Sequence, residues 1–392
     1  MAQRAAIETV TFTTLYPNVV QPNHGIFVEN RLRHLVASGR VVSRVVAPVP
    51  WFPFSGKLFG RYARYAAIPS FESRARLHIE HPKYVALPKL GTSLTPRTLF
   101  LAALPVLKRL MRTRDFDLID AHYFYPDGVA AVWLGRALKK PVIVTARGSD
   151  VSLLPNFALP RRMILGAARG ADGIIAVSQA LKDRLVALGV PQERVTVLRN
   201  GVDLDLFRPD ARRAAPPQAQ PGPILLSVGE LIARKGHDLA IAALPLLPRC
   251  TLLIAGEGPE RSRLTALAAR LNVSDRVRFL GSVPHDKLPK LYAASNALIL
   301  ASSREGWPNV LLEAMACGTP VVASNVWGNP EVVSVGEAGV LIDQRTPHGV
   351  ANAIQRLLDQ PPDRAATRRF AERFSWDATT AGQIQQFERI LA

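Results

Sequence analysis

The chain has 392 residues, 48% hydrophobic and 20% charged, which excludes disordered and fibrous classes and fits two domains of roughly 150 to 200 residues each. Its longest nearly uncharged apolar run, Thr98 to Leu107, is about half of what a bilayer-crossing helix needs. The formal charge of +18 is lopsided, +16 over residues 1–200 and +2 over 201–392, so the first half is expected to face something anionic: a membrane surface, phosphorylated substrates or nucleic acid.

In chain order, short β-branched runs alternate with helical patterns. Ile7–Leu15, with Thr9, Thr11, Thr13 and Thr14 behind Glu8, reads as a first strand and not as a signal peptide. Further strands are expected at Val41–Val49, Leu118–His122, Val142–Ala146, Gly173–Val177 and Val195–Leu198. Helices are expected over Leu99–Arg114, Asp127–Leu138, Leu159–Ala168 and Gln179–Leu188. After a Pro-rich stretch, Arg208–Pro223, the alternation resumes with strands Ile224–Val228, Thr251–Ala255, Val277–Gly281, Ala297–Ala301, Pro320–Ala323 and Val340–Ile342. Helices near 236–247, 259–271, 309–317 and 347–359 lie between or after these strands, and the tail 376–391 reads as one more. Apolar strands alternating with helices signal parallel sheets buried on both faces. The expected organisation is an N-terminal domain over 1–205, a linker at 206–223 and a C-terminal domain over 224–375. The tail helix, 376–392, is expected to pack back on the first domain. Two such doubly wound domains would enclose a cleft at the carboxyl ends of their strands.

The most informative stretch is Ser302-Ser-Arg-Glu-Gly-Trp-Pro-Asn-Val-Leu-Leu-Glu-Ala-Met-Ala-Cys-Gly-Thr-Pro320. It follows an apolar strand, turns at Gly306 to Pro308, and becomes a helix that stops at Gly318. Glu305 therefore falls in the loop and Glu313 about one turn into the helix. Amides at 308–311 are expected to point out of the helix start, a place for phosphate. Carboxylates on either side of such a start suit neutral hydroxyls beside a bound anion, a combination that a sugar nucleotide offers. The plainer reading makes Glu305 a solvated loop acid and Glu313 a helix-surface acid.

This segment resembles the glutamate-pair signature of family 4 retaining glycosyltransferases, which have the GT-B fold of two Rossmann-like domains. Further stretches similar to that family follow one another in the same order: Asp117–His122, Thr145-Ala-Arg-Gly-Ser-Asp150, Arg199–Asp203, Val228–Gly236, Ala255–Glu260 and Arg278–Gly281. The resemblance implies that Glu313 holds the donor's ribose, that Glu305 holds its sugar, and that the amides of Trp307, Pro308, Asn309 and Val310 lie nearby. It also implies that Lys235 sits against the diphosphate and that Gly229 and Gly258 line the donor site. Relatives often carry an arginine where this chain has Glu230, and Arg234 is the nearest replacement for it. His122, closing its strand, is implied to lie by the donor sugar, and Asp150 on the acceptor or sugar side. Their alternatives are a satisfied structural histidine and a helix cap. Gly25 occupies the place of the family's glycine-rich first loop, where relatives pair two glycines.

Transfer of a hexose from a UDP- or GDP-sugar to a glycan or lipid-linked hydroxyl, with retention and without metal or cofactor, is the function so implied. The pairs Asp115/Asp117 and Asp203/Asp205 have Asp-x-Asp spacing but sit away from the expected cleft, and no His/Cys cluster has zinc-ligand spacing. Trp51–Tyr65 interleaves aromatics with cations, and Leu99–Arg114 runs from apolar to basic. Together they suggest a cytoplasmic protein docking reversibly on an anionic membrane face, the alternative being a core helix and a solvated loop. No nucleic-acid motif accompanies the charge. A nucleotide-sugar epimerase and a non-catalytic nucleotide-sugar-binding subunit are the competing readings, and the basic N-terminal half favours transfer.

Overall fold

A computed structural model describes residues 6–51, 65–86, 94–209 and 222–392. It divides into two compact units, residues 1–200 with 377–392, and residues 201–376.

The first unit opens with β1 (Ile7–Phe12), α1 (Ile26–Ala37) and β2 (Val41–Val46). Then come β3 (Val49–Trp51), β4 (Phe71–Arg74), β5 (Leu77–Glu80), β6 (Lys83–Val85) and α2 (Thr95–Thr113). Next are β7 (Leu118–His122), α3 (Val129–Leu138), β8 (Val142–Ala146), α4 (Ala158–Gly170), β9 (Gly173–Ala176), α5 (Gln179–Ala187) and β10 (Val195–Val197). The main sheet runs β10-β9-β8-β7-β1-β2-β5-β4. It is parallel except for β4, which pairs antiparallel with β5. Every residue of β7, β8 and β9 is buried, as required of strands covered on both faces. The apolar positions of α2, Leu99, Ala103, Leu107 and Leu110, recur at intervals of three or four and are buried, so its apolar stripe belongs to the core. Leu101 and the cations Arg97, Lys108 and Arg112 are exposed. Of the expected membrane-facing surface, residues 52–64 lie outside the described residues.

The second unit repeats the plan with β11 (Ile224–Val228), α6 (His237–Ala243), β12 (Thr251–Ala255), α7 (Arg261–Arg270), β13 (Val277–Gly281) and α8 (Leu288–Ala294). It continues with β14 (Ala297–Leu300), α9 (Asn309–Ala316), β15 (Val321–Ser324), β16 (Gly339–Ile342), α10 (Pro347–Asp359) and α11 (Arg364–Ala371). Its sheet, β13-β12-β11-β14-β15-β16, is parallel throughout. The strand order reverses beside β11, the kind of switch point at which open α/β sheets take ligands.

The connection between the units departs from expectation at its start. Phe207 is only 1% exposed; its ring meets those of His285 and Tyr292 at 5.1 and 6.0 Å, and its carbonyl accepts from Arg368. A large apolar side chain inside a polar stretch found a core, so residues 206–209 belong to the second unit, while 210–221 lie outside the described residues. The tail, α12 (Trp376–Leu391), joins the first unit. Phe387 and Ile384 enter that unit's core beside Leu118, Ile143 and Ile175. Thr379 and Gln383 bond to Arg199 and Asp120. Among the described residues no helix is long and apolar enough to cross a membrane.

Candidate active site

In the second unit, two loops at the carboxyl ends of β11 and β14 are stitched together. Ser303 N–H donates to the Arg234 carbonyl at 2.8 Å, and Arg234 Nη1 donates to the Arg304 carbonyl at 2.9 Å. Glu305 is thereby fixed where three donors converge on its Oε1: Ser302 Oγ at 2.7 Å, Lys235 Nζ at 2.8 Å and Arg234 Nη1 at 3.4 Å. Burial opposes ionisation of this carboxyl, but Lys235 and then Arg234 outweigh it and hold its pKa below the ordinary value. Arg234 thus stands beside Lys235, whereas the Glu230 side chain is exposed. Gly229 has φ +150°, and a Cβ there would lie 3.4 Å from the Lys235 stem. The positive φ favours glycine at this turn, and the lysine stem packs over it at ordinary contact distance. Gly258 lies in the next loop against the Leu231 backbone.

Glu313 forms a second centre. Its Oε2 accepts from Tyr292 Oη at 2.8 Å and its Oε1 lies 3.0 Å from His285 Nε2. Burial opposes protonation of His285, yet the hydrogen bond to Glu313 and its charge raise the imidazole's pKa above the ordinary value. Tyr292 is pushed up by burial and by Glu313. The helix start itself needs correction. Pro308 has no N–H to offer. The Asn309 amide donates to the Trp307 carbonyl and the Leu311 amide to that of Pro308, so neither Pro308, Asn309 nor Leu311 points a spare amide out of the helix start. The Trp307 ring is 6% exposed and lies 6.0 Å from Phe374, so the indole is a packing group.

In the first unit, His122 and Asp150 are both buried with hydrogen-bond partners inside the protein. His122 is 1% exposed; Nδ1 accepts from Arg147 Nη2 at 2.7 Å and Nε2 lies 3.4 Å from Asp120 Oδ2. Both ring nitrogens therefore face protein partners. Burial, opposed by Asp120 and reinforced by Arg147, lowers its pKa to about 4, so the ring is neutral near pH 7. Asp150, 0% exposed, takes the amides of Phe124, Arg147 and Gly148 on its carboxylate. It ties the β7 and β8 loops together. Gly25 has φ +67°, and a Cβ there would sit 2.2 Å from the Leu15 carbonyl oxygen. What approaches it is the chain's own backbone.

Several residues were not singled out by sequence: Ser302, His285 and Tyr292 in the second unit, Arg147, Asn200 and Gln383 in the first. Ser302, Arg147 and Asn200 lie inside the quoted motifs; nothing local distinguishes Gln383 from its neighbours. Asp117 accepts from the Glu8 amide and Asp115 pairs with Lys140, while Asp203 takes the amides of Asp205 and Leu206. Among the described residues no group of three or more His, Cys, Asp or Glu could hold a metal ion.

Two family models match this chain: Glycosyl transferases group 1 over residues 210–374 and Glycosyltransferase Family 4 over residues 67–206. The D-inositol 3-phosphate glycosyltransferase of Acidothermus cellulolyticus is 35% identical over 306 residues, covering 71% of this chain and 68% of that protein. The chain belongs to glycosyltransferase family 4. Glycogen synthase of Mycobacterium tuberculosis is 38% identical over 298 residues, covering 71% of each chain. Sucrose-phosphate synthase from Thermosynechococcus elongatus superimposes with a TM-score of 0.80 at 23% identity, covering 98% of both chains. Anabaena HepE in complex with UDP and glucose gives 0.74 at 20% identity, covering 98% of this chain and 100% of that one. These neighbours share the GT-B fold, two Rossmann-like parallel-sheet domains, and this family 4 glycosyltransferase has it too.

Proposed function

We propose that this family 4 glycosyltransferase moves a hexose from a nucleoside diphosphate sugar, with UDP and GDP as first candidates, to a hydroxyl of a glycan or lipid-linked acceptor. The observation that carries the reading is Glu305 buried against Lys235 and Arg234, one turn ahead of a helix whose Glu313 is held by Tyr292 and His285. Two cations on one carboxylate make a group that can orient sugar hydroxyls while the same cations draw a diphosphate. As the sugar–phosphate bond breaks, its electron pair goes to the diphosphate and Lys235 and Arg234 stabilise that charge. The acceptor oxygen bonds to the anomeric carbon from the face the diphosphate leaves, its proton passing to a diphosphate oxygen, so configuration is retained. The chain's own cations meet the developing charge, and no metal or cofactor is called for. Relatives support the donor class: HepE was solved with UDP and glucose, and a mycobacterial relative 29% identical over 371 residues is GDP-mannose-dependent.

The test is a thermal-shift screen of the full chain against UDP-, GDP- and ADP-sugars, since a binder stabilises by RT ln(1 + [L]/Kd). One nucleotide series must stabilise, and NMR of the product must show the donor's anomeric configuration; inversion refutes the mechanism. The N-terminal unit, which carries the charge excess, would take the acceptor. The exposed Leu101, Arg97, Lys108 and Arg112 of α2 support reversible docking on an anionic cytoplasmic leaflet, and failure to float with anionic vesicles at low salt would refute it.

A further inference from the structure

At the carboxyl ends of β7 and β8 lies a guanidinium, that of Arg147, with no carboxylate ion-paired to it among the described residues. Arg147 is 8% exposed. Its Nη1 donates to Asn200 Oδ1 at 2.9 Å and its Nη2 to His122 Nδ1 at 2.7 Å, while Nε is buried without a hydrogen-bond partner. The Phe27 ring lies 5.5 Å away. Both hydrogen-bond partners are uncharged, because an imidazole that accepts at Nδ1 has no second proton.

Neither Asp120 nor Asp150, whose charges act on Arg147, forms an ion pair with it, although Asp120 Oδ1 is buried without a hydrogen-bond partner. Asp150 is saturated by three amides. Asp120 Oδ2 accepts from Gln383 Nε2 at 2.7 Å and lies 3.4 Å from His122 Nε2. A second buried cation, Arg31, 2% exposed, donates Nε to Gln383 Oε1 at 2.6 Å and Nη1 to the Leu198 carbonyl, and its Nη2 is unpartnered. Gln383 from the tail helix therefore stands between Arg31 and Asp120. It keeps that aspartate turned to His122, whose tautomer in turn leaves Nδ1 free to hold Arg147. The relay fixes the arginine without neutralising it. No carboxylate oxygen closes an ion pair with the guanidinium, on which Asp120 and Asp150 act only from a distance, and a planar guanidinium matches carboxylate and phosphate oxygens in pairs.

We propose that Arg147 receives an anionic substituent, a carboxylate or a phosphate, carried by the acceptor. This deepens the reading above and rests on the N-terminal unit being the acceptor unit. Asp120, His122, Asn200 and Gln383 are then positioning residues. A uronate and a phosphorylated sugar are the two sources of that chemistry.

The experiment measures binding of glucose, glucuronate and glucose 6-phosphate to the full chain by calorimetry, with UDP-glucose, GDP-mannose and ADP-glucose titrated into the same preparation. One anionic sugar should bind about tenfold more tightly than glucose, the scale of one charge-assisted pair, and which one wins names the source. Arg147→Gln should abolish that preference, Arg147→Lys should restore part of it, and nucleotide-sugar binding should be unchanged in both. Equal binding of neutral and anionic sugars to the wild type overturns the proposal, as does a preference that survives Arg147→Gln. Should Arg147→Gln fail to fold, NMR of the wild type decides. The Arg147 Nε–H resonance must move with the preferred anion and stay put with glucose, and no movement overturns the assignment. Failure of every nucleotide sugar to bind would count against the donor reading while leaving the Arg147 comparison readable.

Discussion

Glu305 is held by three donors on one oxygen, so removing its charge and removing its hydrogen bonding can be separated. Glu305→Gln keeps a carbonyl for Ser302 and Lys235 but frees both cations. The expected result is a fall of roughly 10²–10³ in kcat, as for loss of a preorganised electrostatic partner, with a lowered melting temperature in the absence of donor, because Lys235 and Arg234 lose their buried counterion. Glu313→Gln should act mainly on donor KM, because its carboxylate is placed by Tyr292 and His285 rather than by Lys235 and Arg234; steady-state kinetics distinguishes the two. The two glutamates were legible from their spacing and the helix signals around them. Their partners were not, since a hydroxyl from Tyr292 or an imidazole from His285 arrives from an element some twenty to thirty residues away. His122 was legible as a strand-end residue but not as a buried one, because burial there is imposed by Arg147 and Asp120. Its neutrality gives a pH prediction. The folded pKa of about 4 lies below the usual 6.5, so the native state binds fewer protons than the unfolded one. The stability His122 contributes is complete above pH 6.5 and is lost as pH falls toward 4. Its ring NMR signals should stay those of a neutral imidazole at pH 6; an imidazolium there would refute the assigned tautomer.

The tail helix α12 is the element on which the first unit's architecture depends beyond its own sequence. Phe387 is 0% exposed in the core around Leu118 and Ile143, and Phe387→Ala should cost about 3–5 kcal/mol, read by denaturant unfolding. Gln383→Glu should behave differently. A carboxylate 2.7 Å from Asp120 Oδ2 repels it, while Arg31 Nε, 2.6 Å from the other oxygen of that side chain, offsets part of the repulsion, so part of the lost stability should return at low pH where the native pair is protonated; a pH-independent deficit would contradict the bridge. Parallel-strand alternation made most strands and the tail helix readable in the sequence, because buried strands are simply apolar runs. The hairpin β4–β5 was missed. Its residues, such as Phe71, Glu72, Ser73 and Arg74, alternate in burial at a sheet edge, and two strands of four residues carry too little pattern to stand out from a loop. Helix α1 was missed for a related reason. Its interior-facing set includes Glu29 and Arg31, which are buried through partners that lie far away in sequence.

At the scale of the whole molecule, the two units carry different chemistry. The second holds Glu305, Lys235, Arg234 and Glu313; the first holds most of the net charge and the Arg147 relay. Division of labour between donor and acceptor predicts that variants in the two units affect separate binding steps. The most direct test of the central claim is calorimetric titration of the full chain and of Glu313→Gln with the stabilising nucleotide sugar. The account predicts at least about tenfold weaker binding in the variant, roughly the loss of one charge-assisted hydrogen-bonded contact. Equal affinity in the two proteins would contradict it.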